Sequence, residues 1–297
     1  MTRCGFIAIA GRPNAGKSTL LNRLVGQRIA ITSHKPQSTR NRVVGLLTDE
    51  STQLVLLDTP GLLEPGDALH RSMRSTAVAA IREADLILHI ADARDGAPPP
   101  LWEVAAWDGR PPNARVLVAL NKMDALAPAQ RDALAAAVAG RDHVFFISAR
   151  TGEGLEPLLA RLRAEIPEGP FHYPADDAST ADLRFIVAEI VREVALEQLD
   201  DEVPHALACQ VEEFRESRTP VYIRAVLYVE RETQKRIVIG AGGERIREVG
   251  RRARARIEPL VGSQVYLDLW VKVLPNWRRD AGALRRLGYA VAEEPDK

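Results

Sequence analysis

The chain has 297 residues, a length that predicts two domains at the usual ~150 residues per domain. Hydrophobic residues make up 46% and charged residues 27%, which is the composition of an ordinary globular protein and not of a collagen-like or disordered chain. The 40 basic and 40 acidic side chains cancel, so the overall charge does not indicate a polyanionic partner. Two distant cysteines, Cys4 and Cys209, argue against a disulfide scaffold or a zinc site and favour a reducing, cytoplasmic location.

No apolar run approaches the ~20 residues that a membrane span requires, and no signal-peptide pattern precedes Arg12. A secreted protein and an integral membrane protein are therefore not expected.

Charge is unevenly placed in the second half: residues 171–213 hold 11 acidic and 2 basic side chains, whereas residues 235–256 hold 8 basic and 2 acidic ones. The basic stretch gives the protein one face that could bind a polyanion.

Short apolar runs alternate with helical patterns from Gly5 to Ile166, which is the spacing of a parallel sheet with helices on both faces. Only TDEST separates the second run from the third. This gap is too short for a helical crossover, so it predicts an antiparallel hairpin at the sheet edge. We therefore expect a mixed, mostly parallel, six-stranded α/β sheet. Its predicted strands are 6–10, 42–47, 53–58, 86–92, 115–120 and 144–148.

The segment 167–180 is rich in Pro, Gly and Asp and lacks hydrophobic periodicity, which is typical of a linker. We place a first domain at 1–170, a linker at 171–181 and a second domain at 182–297. The second domain is predicted to be α+β. Its expected elements are a helix from Leu183 to Leu199, strands near 206–214 and 221–229, a further strand RIVIG at 236–240, an Arg-rich helix at about 244–258, a strand at 264–274 and a last helix near 280–287.

The sequence GRPNAGKS at residues 11–18 matches the pattern G-x-x-x-x-G-K-[ST], directly after the first strand and before a helical run. Its glycines let successive N–H groups face a phosphate, and the helix start adds partial positive charge. Lys17 is expected to reach the β- and γ-phosphates and Ser18 to ligate Mg²⁺. The predicted phosphate contacts are Gly11, Asn14, Ala15, Gly16, Lys17, Ser18, Thr19 and, from the next motif, Gly61.

Asp58-Thr-Pro-Gly61 ends the third strand, where a carboxylate can hold Mg²⁺ through water and the Gly61 N–H can meet a γ-phosphate. The polar segment at 26–41 is where a γ-phosphate sensor belongs. Thr39 is the predicted second Mg²⁺ ligand because it lies just before the second strand. Thr32, Ser33 and Ser38 are the alternatives.

Asn121-Lys122-Met-Asp124 follows the fifth strand and distinguishes guanine from adenine. Asp124 can accept from the guanine N1–H and 2-amino groups, a donor pair that adenine lacks, so an ATP-using kinase is disfavoured. Asn121 is predicted at the other edge of the purine, and the Lys122 stem over its plane. Ser148-Ala149 is expected to give the second wall through a backbone N–H.

A glycine-rich turn, Gly240-Ala241-Gly242-Gly243, precedes the Arg-rich helix, and such a turn permits close backbone approach to phosphate. For the arginines beyond Arg245, a solvated helix face is the alternative interpretation. The predicted RNA contacts are Lys235, Arg236, Gly240, Ala241, Gly242, Gly243, Arg245 and Arg247, with Arg251 and Arg252 nearby.

Together, GRPNAGKS, Thr39, DTPG, NKMD and SA resemble the motifs of the Era GTPases, and the second domain is similar to a type II K homology (KH) domain. The resemblance implies an α/β P-loop GTPase domain followed by an α+β KH domain. It further implies a monomeric, Mg²⁺-dependent, GTP-hydrolysing switch that binds the 3′ end of 16S rRNA and the 30S subunit and acts in small-subunit assembly.

One position departs from the Ras pattern: Leu62 follows DTPG, where a glutamine would orient the attacking water. Slow unassisted turnover is therefore expected. Asn14 matches the position that, in potassium-activated relatives, helps to bind a K⁺ ion. Two other functions stay open: an RNA-binding module that binds GTP without significant turnover, and a signalling GTPase associated peripherally with the inner face of the cell membrane.

Overall fold

The structure is a computed structural model that describes residues 1–35, 37–107, 110–199 and 203–291. The chain divides into two compact units. The first unit comprises Met1–Ala30, Thr39–Gly66 and His70–Thr180, and the second comprises Ile31–Ser38, Asp67–Leu69 and Ala181–Lys297. The short segment 31–38 thus belongs to the second unit, although the first unit surrounds it in sequence.

The first unit contains a six-stranded sheet with the order β2-β3-β1-β4-β5-β6. All neighbouring strands are parallel except β2 and β3, which pair antiparallel from Val43–Asp58 to Thr48–Gln53. The predicted mixed sheet and edge hairpin are therefore confirmed. The strands are β1 (Arg3–Ala10), β2 (Val43–Thr48), β3 (Thr52–Asp58), β4 (Leu86–Asp92), β5 (Arg115–Asn121) and β6 (Val144–Phe146).

Helices cover both faces of this sheet, as its near-continuous apolar strands require. On β2, the Cα–H of Gly45 points at α1, because a Cβ there would lie 2.6 Å from Leu21 Cδ1. On the opposite face, Ala80 of α2 packs with Val55 and Leu57 of β3. The helices of this unit are α1 (Lys17–Val25), α2 (Ala68–Glu83), α3 (Leu101–Val104), α4 (Pro128–Ala137) and α5 (Leu155–Glu165).

The buried side chain of Gln53 helps to hold the residues that follow α5 on the first unit. Its Oε1 accepts the backbone N–H groups of His172 and Tyr173 at 2.9 and 3.0 Å, and its Nε2 donates to the Tyr173 carbonyl at 2.9 Å. Phe171 and Tyr173 also pack against the apolar cluster around Val55. The first part of the predicted linker thus runs along the first unit.

The second unit packs most of its helices on one face of a three-stranded sheet with the order β7-β8-β9. Strands β7 and β8 are antiparallel, whereas β8 and β9 are parallel and pair from Val221–Val265 to Val229–Val273. The predicted α+β organisation and last helix are confirmed. The elements are α6 (Leu183–Glu197), β7 (Ala208–Arg215), β8 (Val221–Val229), α7 (Glu232–Ile239), α8 (Glu244–Val261), β9 (Val265–Val273) and α9 (Ala281–Arg286).

One predicted element is wrong: RIVIG at 236–240 is the end of helix α7 and not a strand. Its β-branched run favours a strand, but the start of the helix is fixed by the buried Gln234. That side chain accepts the backbone N–H groups of Glu230 and Arg231 at 2.9 and 3.0 Å, which satisfies donors at the helix start. Within the run only Val238 is fully buried, so the segment packs as one face of a helix.

Candidate nucleotide and RNA sites

The predicted nucleotide motifs meet at one edge of the first unit's sheet. The P-loop follows β1, Asp58 ends β3, Asn121 ends β5 and Ser148 follows β6. These are the carboxyl ends of parallel strands, where doubly wound sheets bind their ligands. The topology therefore explains why motifs that are far apart in sequence form one site.

The P-loop turns into α1 at Gly16, which caps the helix in the left-handed region with φ 101° and without a side-chain cap. A Cβ at this position would lie 2.2 Å from the Asn121 side-chain nitrogen. Only glycine fits here, because it tolerates both the backbone angle and the close approach. The first N–H groups of α1 are thus left for a ligand, which is the arrangement that binds phosphate at a helix start.

Lys17, the second residue of the GKS triplet, is buried beneath this loop. Its Nζ donates to the carbonyl oxygens of Arg12 and Gly11 at 2.9 and 3.3 Å. Burial lowers its pKa to about 8, an effect that the nearby Asp58 opposes. A phosphate oxygen beside the ammonium group stabilises its charged form, so phosphate binding and protonation of Lys17 favour each other.

Three oxygen-bearing side chains converge beside Lys17. Ser18 Oγ donates to Asp58 Oδ2 at 2.7 Å and lies 2.8 Å from Thr39 Oγ1. Asp58 is 0% exposed, and its Oδ1 has no hydrogen-bond partner. Burial raises its pKa to about 6. A buried carboxylate oxygen without a donor, next to two hydroxyls, fits a hard cation such as Mg²⁺, whose charge would hold the carboxylate ionised.

The four candidates for the second Mg²⁺ ligand occupy different surroundings. Thr32 donates its N–H and Oγ1 to Glu193 Oε1 at 2.6 and 3.2 Å, within the second unit. Ser33 Oγ accepts from the Lys35 N–H at 3.1 Å, and the Ser38 carbonyl accepts from Arg192. Thr39 is the candidate that contacts Ser18. Its assignment as a ligand stays a prediction, now supported by this contact.

Asp124 of the NKMD motif is held as an acceptor. Its Oδ1 accepts from Ser148 Oγ at 2.5 Å, and its Oδ2 accepts from the Arg150 guanidinium. The hydrogen bond from Ser148 and the charge of Arg150 hold the pKa of this carboxyl below its usual value. Sequence reasoning did not single out Arg150, since an arginine in a loop carries no distinguishing pattern.

Asn121 and Lys122 join the loops of the site. Asn121 Nδ2 donates to the Ala15 carbonyl at 2.8 Å, and its Oδ1 accepts the Ala149 N–H at 2.9 Å. Lys122 Nζ donates to the Asn14 carbonyl at 2.6 Å and to Asp92 Oδ2 at 2.7 Å. Both side chains thus fix the P-loop, and the contact predicted between Asn121 and the purine stays a prediction. Asp92 is a residue that the sequence analysis missed.

The DTPG motif approaches the P-loop closely. A Cβ at Gly61 would lie 2.7 to 2.8 Å from three atoms of Pro13, so only glycine fits. The next N–H, that of Leu62, donates to the Gly11 carbonyl at 3.0 Å. The Leu62 side chain is buried in an apolar cluster that includes Ala77 and Ile81. As a buried hydrocarbon, this side chain cannot hydrogen-bond a water.

The glycine-rich turn of the second unit opens onto the start of α8. Gly240, Gly242 and Gly243 have φ values of 76°, 56° and 77°, and α8 begins without a side-chain cap. A Cβ on Gly242 would have no atom within 4 Å, so this point of the turn is open. The predicted contacts lie on and around this turn in α7, the loop and α8, and their role in binding RNA stays a prediction.

The arginines of α8 fall into two groups. Arg245 donates to the Ile237 carbonyl and so ties α8 back to α7, whereas Arg247 is exposed beside Gly243. Arg251 and Arg252 both pair with Glu248, at 2.7 and 2.6 Å. Exposed pairs of this kind are typical of a solvated helix face, so the RNA assignment is strongest for the first turn of α8.

Comparisons with known proteins agree with this division into two sites. The model of the 50S ribosome-binding GTPase family matches residues 6–122, and that of the KH domain matches residues 202–278. GTPase Era of Carboxydothermus hydrogenoformans is 40% identical over 299 residues, which cover 98% of this chain and 99% of the relative. GTPase Era of Thermotoga petrophila is 40% identical, covering 96% and 97%. The chain belongs to the Era family of GTPases. This membership confirms the predicted family, fold class and type of enzyme.

Two solved Era structures match nearly the whole chain. One is a crystal structure of Era in complex with MgGDPNP and nucleotides 1506–1542 of 16S ribosomal RNA, with a TM-score of 0.91 and 38% identity over 98% of this chain and 100% of that one. The other is a tyrosine-to-alanine variant of Aquifex aeolicus Era bound to GDP and AlF4⁻, with a TM-score of 0.90 and 38% identity over the same shares. In the part of the chain that the structure describes, no helix is long and apolar enough to cross a membrane.

Replacing Asp124 by asparagine is expected to weaken GTP binding by about 100-fold or more, because the amide meets the guanine donors with a donor of its own. Xanthosine triphosphate carries a carbonyl in place of the 2-amino group, so its affinity should rise in the same variant. Calorimetric titration of both nucleotides measures the two effects. Asp95→Asn, at an exposed position, is the control, and equal GTP affinity of D124N and the unaltered protein would contradict the assignment.

Proposed function

We propose that this Era-family protein is a GTP-hydrolysing switch that binds the 3′ end of 16S rRNA and acts on the 30S subunit during its assembly. The observation that carries the proposal is the presence, in one chain, of an assembled phosphate, Mg²⁺ and guanine site and of an open glycine turn at a basic helix. The Era structure with MgGDPNP and nucleotides 1506–1542 of 16S ribosomal RNA supports it, because that relative holds both kinds of ligand.

The proposed chemistry assigns a separate task to each residue around the phosphates. When bound, Mg²⁺ neutralises charge on the β- and γ-phosphate oxygens, and the residues that would hold it are Ser18 and Thr39 directly and Asp58 through water. Lys17 adds a second positive charge from below the P-loop, and the Gly61 N–H would meet the γ-phosphate. Since the Leu62 side chain is buried, the chain itself offers no water-orienting group at that position, and intrinsic turnover should be slow.

The same residues account for switching. Thr39 and Gly61 would contact the γ-phosphate in the GTP state and lose that contact on hydrolysis, so the segments 32–40 and 59–75 would respond to the nucleotide. Most of 31–38 and all of 67–69 fall within these segments, and both stretches cluster with the second unit. A cytoplasmic location accords with the proposed RNA and ribosomal partners. Peripheral membrane association stays a prediction that no contact in the described residues favours.

The RNA clamp can be tested at Gly242 with a matched pair of variants. Asparagine and aspartate both tolerate a φ of 56°, and a Cβ there meets no neighbour, so the two variants differ only in charge. Gly242→Asp is expected to weaken binding of a labelled 16S 3′-end RNA by roughly tenfold or more through repulsion of the phosphates. Gly242→Asn should bind within about threefold of the unaltered protein. Equal binding by both variants, measured by fluorescence anisotropy, would place the RNA elsewhere.

We further propose that a K⁺ ion bound with the help of Asn14 activates hydrolysis. The ion would supply positive charge at a site where Leu62 offers the attacking water no orienting group. Asn14 has a φ of 61°, so Asn14→Gly removes the side chain without backbone strain. Turnover of the unaltered protein should be roughly tenfold higher in K⁺ than in Na⁺ at equal ionic strength, equal to about 1.4 kcal/mol of transition-state stabilisation. The variant should lose this difference, and an unaltered protein with equal rates in both salts would disprove the proposal.

The alternative expected from the sequence is an RNA-binding module that holds GTP without significant turnover. The burial of Leu62 accords with slow turnover, but membership of the Era family of GTPases disfavours a module with none. The two functions differ in phosphate release, since a binding module releases none above the uncatalysed rate with or without RNA.

A further inference from the structure

The sheet of the second unit has one face that the helices cover only in part. Along β9 the side chains alternate: Val265 and Val271 pack into the core, whereas Tyr266 and Trp270 face the other way. On the neighbouring strand β8, Tyr222 pairs with Tyr266 and Arg224 pairs with Asp268. We call the surface formed by Arg215, Tyr222, Arg224, Tyr266 and Trp270 the aromatic face.

Two rings of the aromatic face are unusually exposed. Tyr266 is 59% exposed and Trp270 is 53% exposed. Tyr266 stacks on Tyr222 with the ring centroids 5.9 Å apart and the planes 13° from parallel. One side of the Tyr266 ring is therefore supported by the protein, and the rest of it faces solvent. Exposed apolar area of this kind marks an interaction surface more often than it serves stability.

The polar atoms of two rings of the aromatic face, those of Tyr222 and Trp270, are bonded within the chain. Tyr222 Oη donates to Asp268 Oδ2 at 2.7 Å, and Trp270 Nε1 donates to Asp268 Oδ1 at 3.0 Å. Arg224 Nε donates to the same carboxylate at 3.0 Å. This network fixes the Tyr222 and Trp270 rings before any ligand arrives, and Tyr266 stacks on Tyr222, so less side-chain entropy is lost on binding. The flat faces of the rings are the parts that remain available for contact with a ligand.

Part of the same sheet face, on the central strand β8, is covered by the protein. There, Val226 and Tyr228 are buried. Gln210, which pairs with Val226, donates through Nε2 to the Arg286 carbonyl of α9 at 3.1 Å. Trp270 lies on the edge strand beside the buried Val226, its register partner, and Tyr266 lies four residues further from the covered end, beside Tyr222.

The position of β9 connects the aromatic face to the glycine turn. β9 is the edge strand of the sheet, and its other face packs under α8, where a Cβ on Gly250 would lie 3.5 Å from Leu269 Cδ1. The glycine turn joins α7 to this same helix. A strand of RNA that leaves the turn and passes the sheet edge therefore meets the aromatic face next.

The chemistry of the aromatic face fits bases better than phosphates. Its arginines are partly neutralised, because Arg215 pairs with Glu213 and Arg224 pairs with Asp268. Both guanidinium groups also lie over the Tyr222 ring, 5.5 and 5.7 Å from its centroid. Exposed rings on a sheet beside arginines are the usual means of stacking single-stranded bases. A surface of balanced charge should add stacking affinity with little electrostatic attraction.

We propose that the aromatic face is a second RNA surface, on which Tyr266 and Trp270 stack unpaired bases of the strand that continues from the glycine turn. The inference rests on the proposed RNA-binding function. A glycine turn of this kind clamps about four nucleotides, so a longer single strand needs such a continuation. The aromatic face gives it one without base-specific hydrogen bonds.

Two RNA lengths separate the two surfaces. The probes are a four-nucleotide and a twelve-nucleotide single-stranded RNA taken from the 16S 3′ end, titrated into the full chain. Trp270→Ala and Tyr266→Ala should each weaken binding of the longer RNA by roughly 10- to 100-fold, the usual effect of losing one stacked base. Binding of the shorter RNA should stay the same. Trp270→Phe retains a stacking ring and should keep most of the affinity.

The salt dependence gives a second, independent measure. Because stacking releases few counterions, Trp270→Ala should lower the affinity for the longer RNA without changing the slope of log K against log salt. Arg247→Ala, at the exposed start of α8, should instead reduce that slope by about one. A fall in slope for Trp270→Ala equal to that of Arg247→Ala would contradict the stacking mechanism.

The unaltered protein provides a check that does not depend on folding of the variants. Photocrosslinking of the longer RNA, substituted with 4-thiouridine, should place a crosslink within residues 265–273. Unchanged binding of the longer RNA by both alanine variants, or no crosslink in this peptide, would overturn the inference and leave the glycine-turn clamp intact. If the two alanine variants bound RNA normally but lost a contact with a ribosomal protein, the aromatic face would be a protein-binding surface. That result would also overturn the inference. Failure of the unaltered chain to bind either RNA would disprove the proposed function itself.

Discussion

A fully buried carboxylate with one unpaired oxygen is the feature around which the nucleotide site is organised. Asp58 ends a strand in the interior of the first unit, where its Oδ2 accepts from the hydroxyl of Ser18 and its Oδ1 has no hydrogen-bond partner among the described residues. Burying a charge without full compensation is unfavourable, and its raised pKa of about 6 expresses that cost. A bound cation reverses the balance, because it supplies the missing partner. The same holds with opposite sign for Lys17: burial disfavours its positive charge, and a bound phosphate stabilises it.

Both units carry the same backbone arrangement at the start of one helix. Helix α1 begins after Gly16 and helix α8 begins after Gly243, each glycine in the left-handed region and each helix without a side-chain cap. The N–H groups of a first helical turn are thereby left for phosphate oxygens. The surroundings then set the difference: a buried lysine and a carboxylate at α1 suit a nucleotide with its cation, whereas an exposed arginine at α8 suits a chain of phosphates in solvent.

The sequence predicted those features that depend on local chemistry. The P-loop, DTPG, NKMD and SA motifs each follow a strand, and parallel strands bring their carboxyl ends together, so the site could be assembled before the structure was known. The RIVIG segment was mispredicted because β-branched residues favour a strand, while the capping bonds of Gln234 that fix the helix are invisible in a propensity scale. Arg150 and Asp92 were missed since only the fold brings them to Asp124 and Lys122. The aromatic face likewise depends on which half of a sheet α9 covers.

The most direct test of the account is GTP turnover by the purified protein in potassium buffer, with and without a single-stranded RNA that matches the 3′ end of 16S rRNA. The account predicts slow phosphate release by the protein alone, because Leu62 leaves the water without an orienting group, and a clear increase when the RNA is bound. Bound RNA that leaves the rate unchanged would contradict the claim that the two sites form one switch.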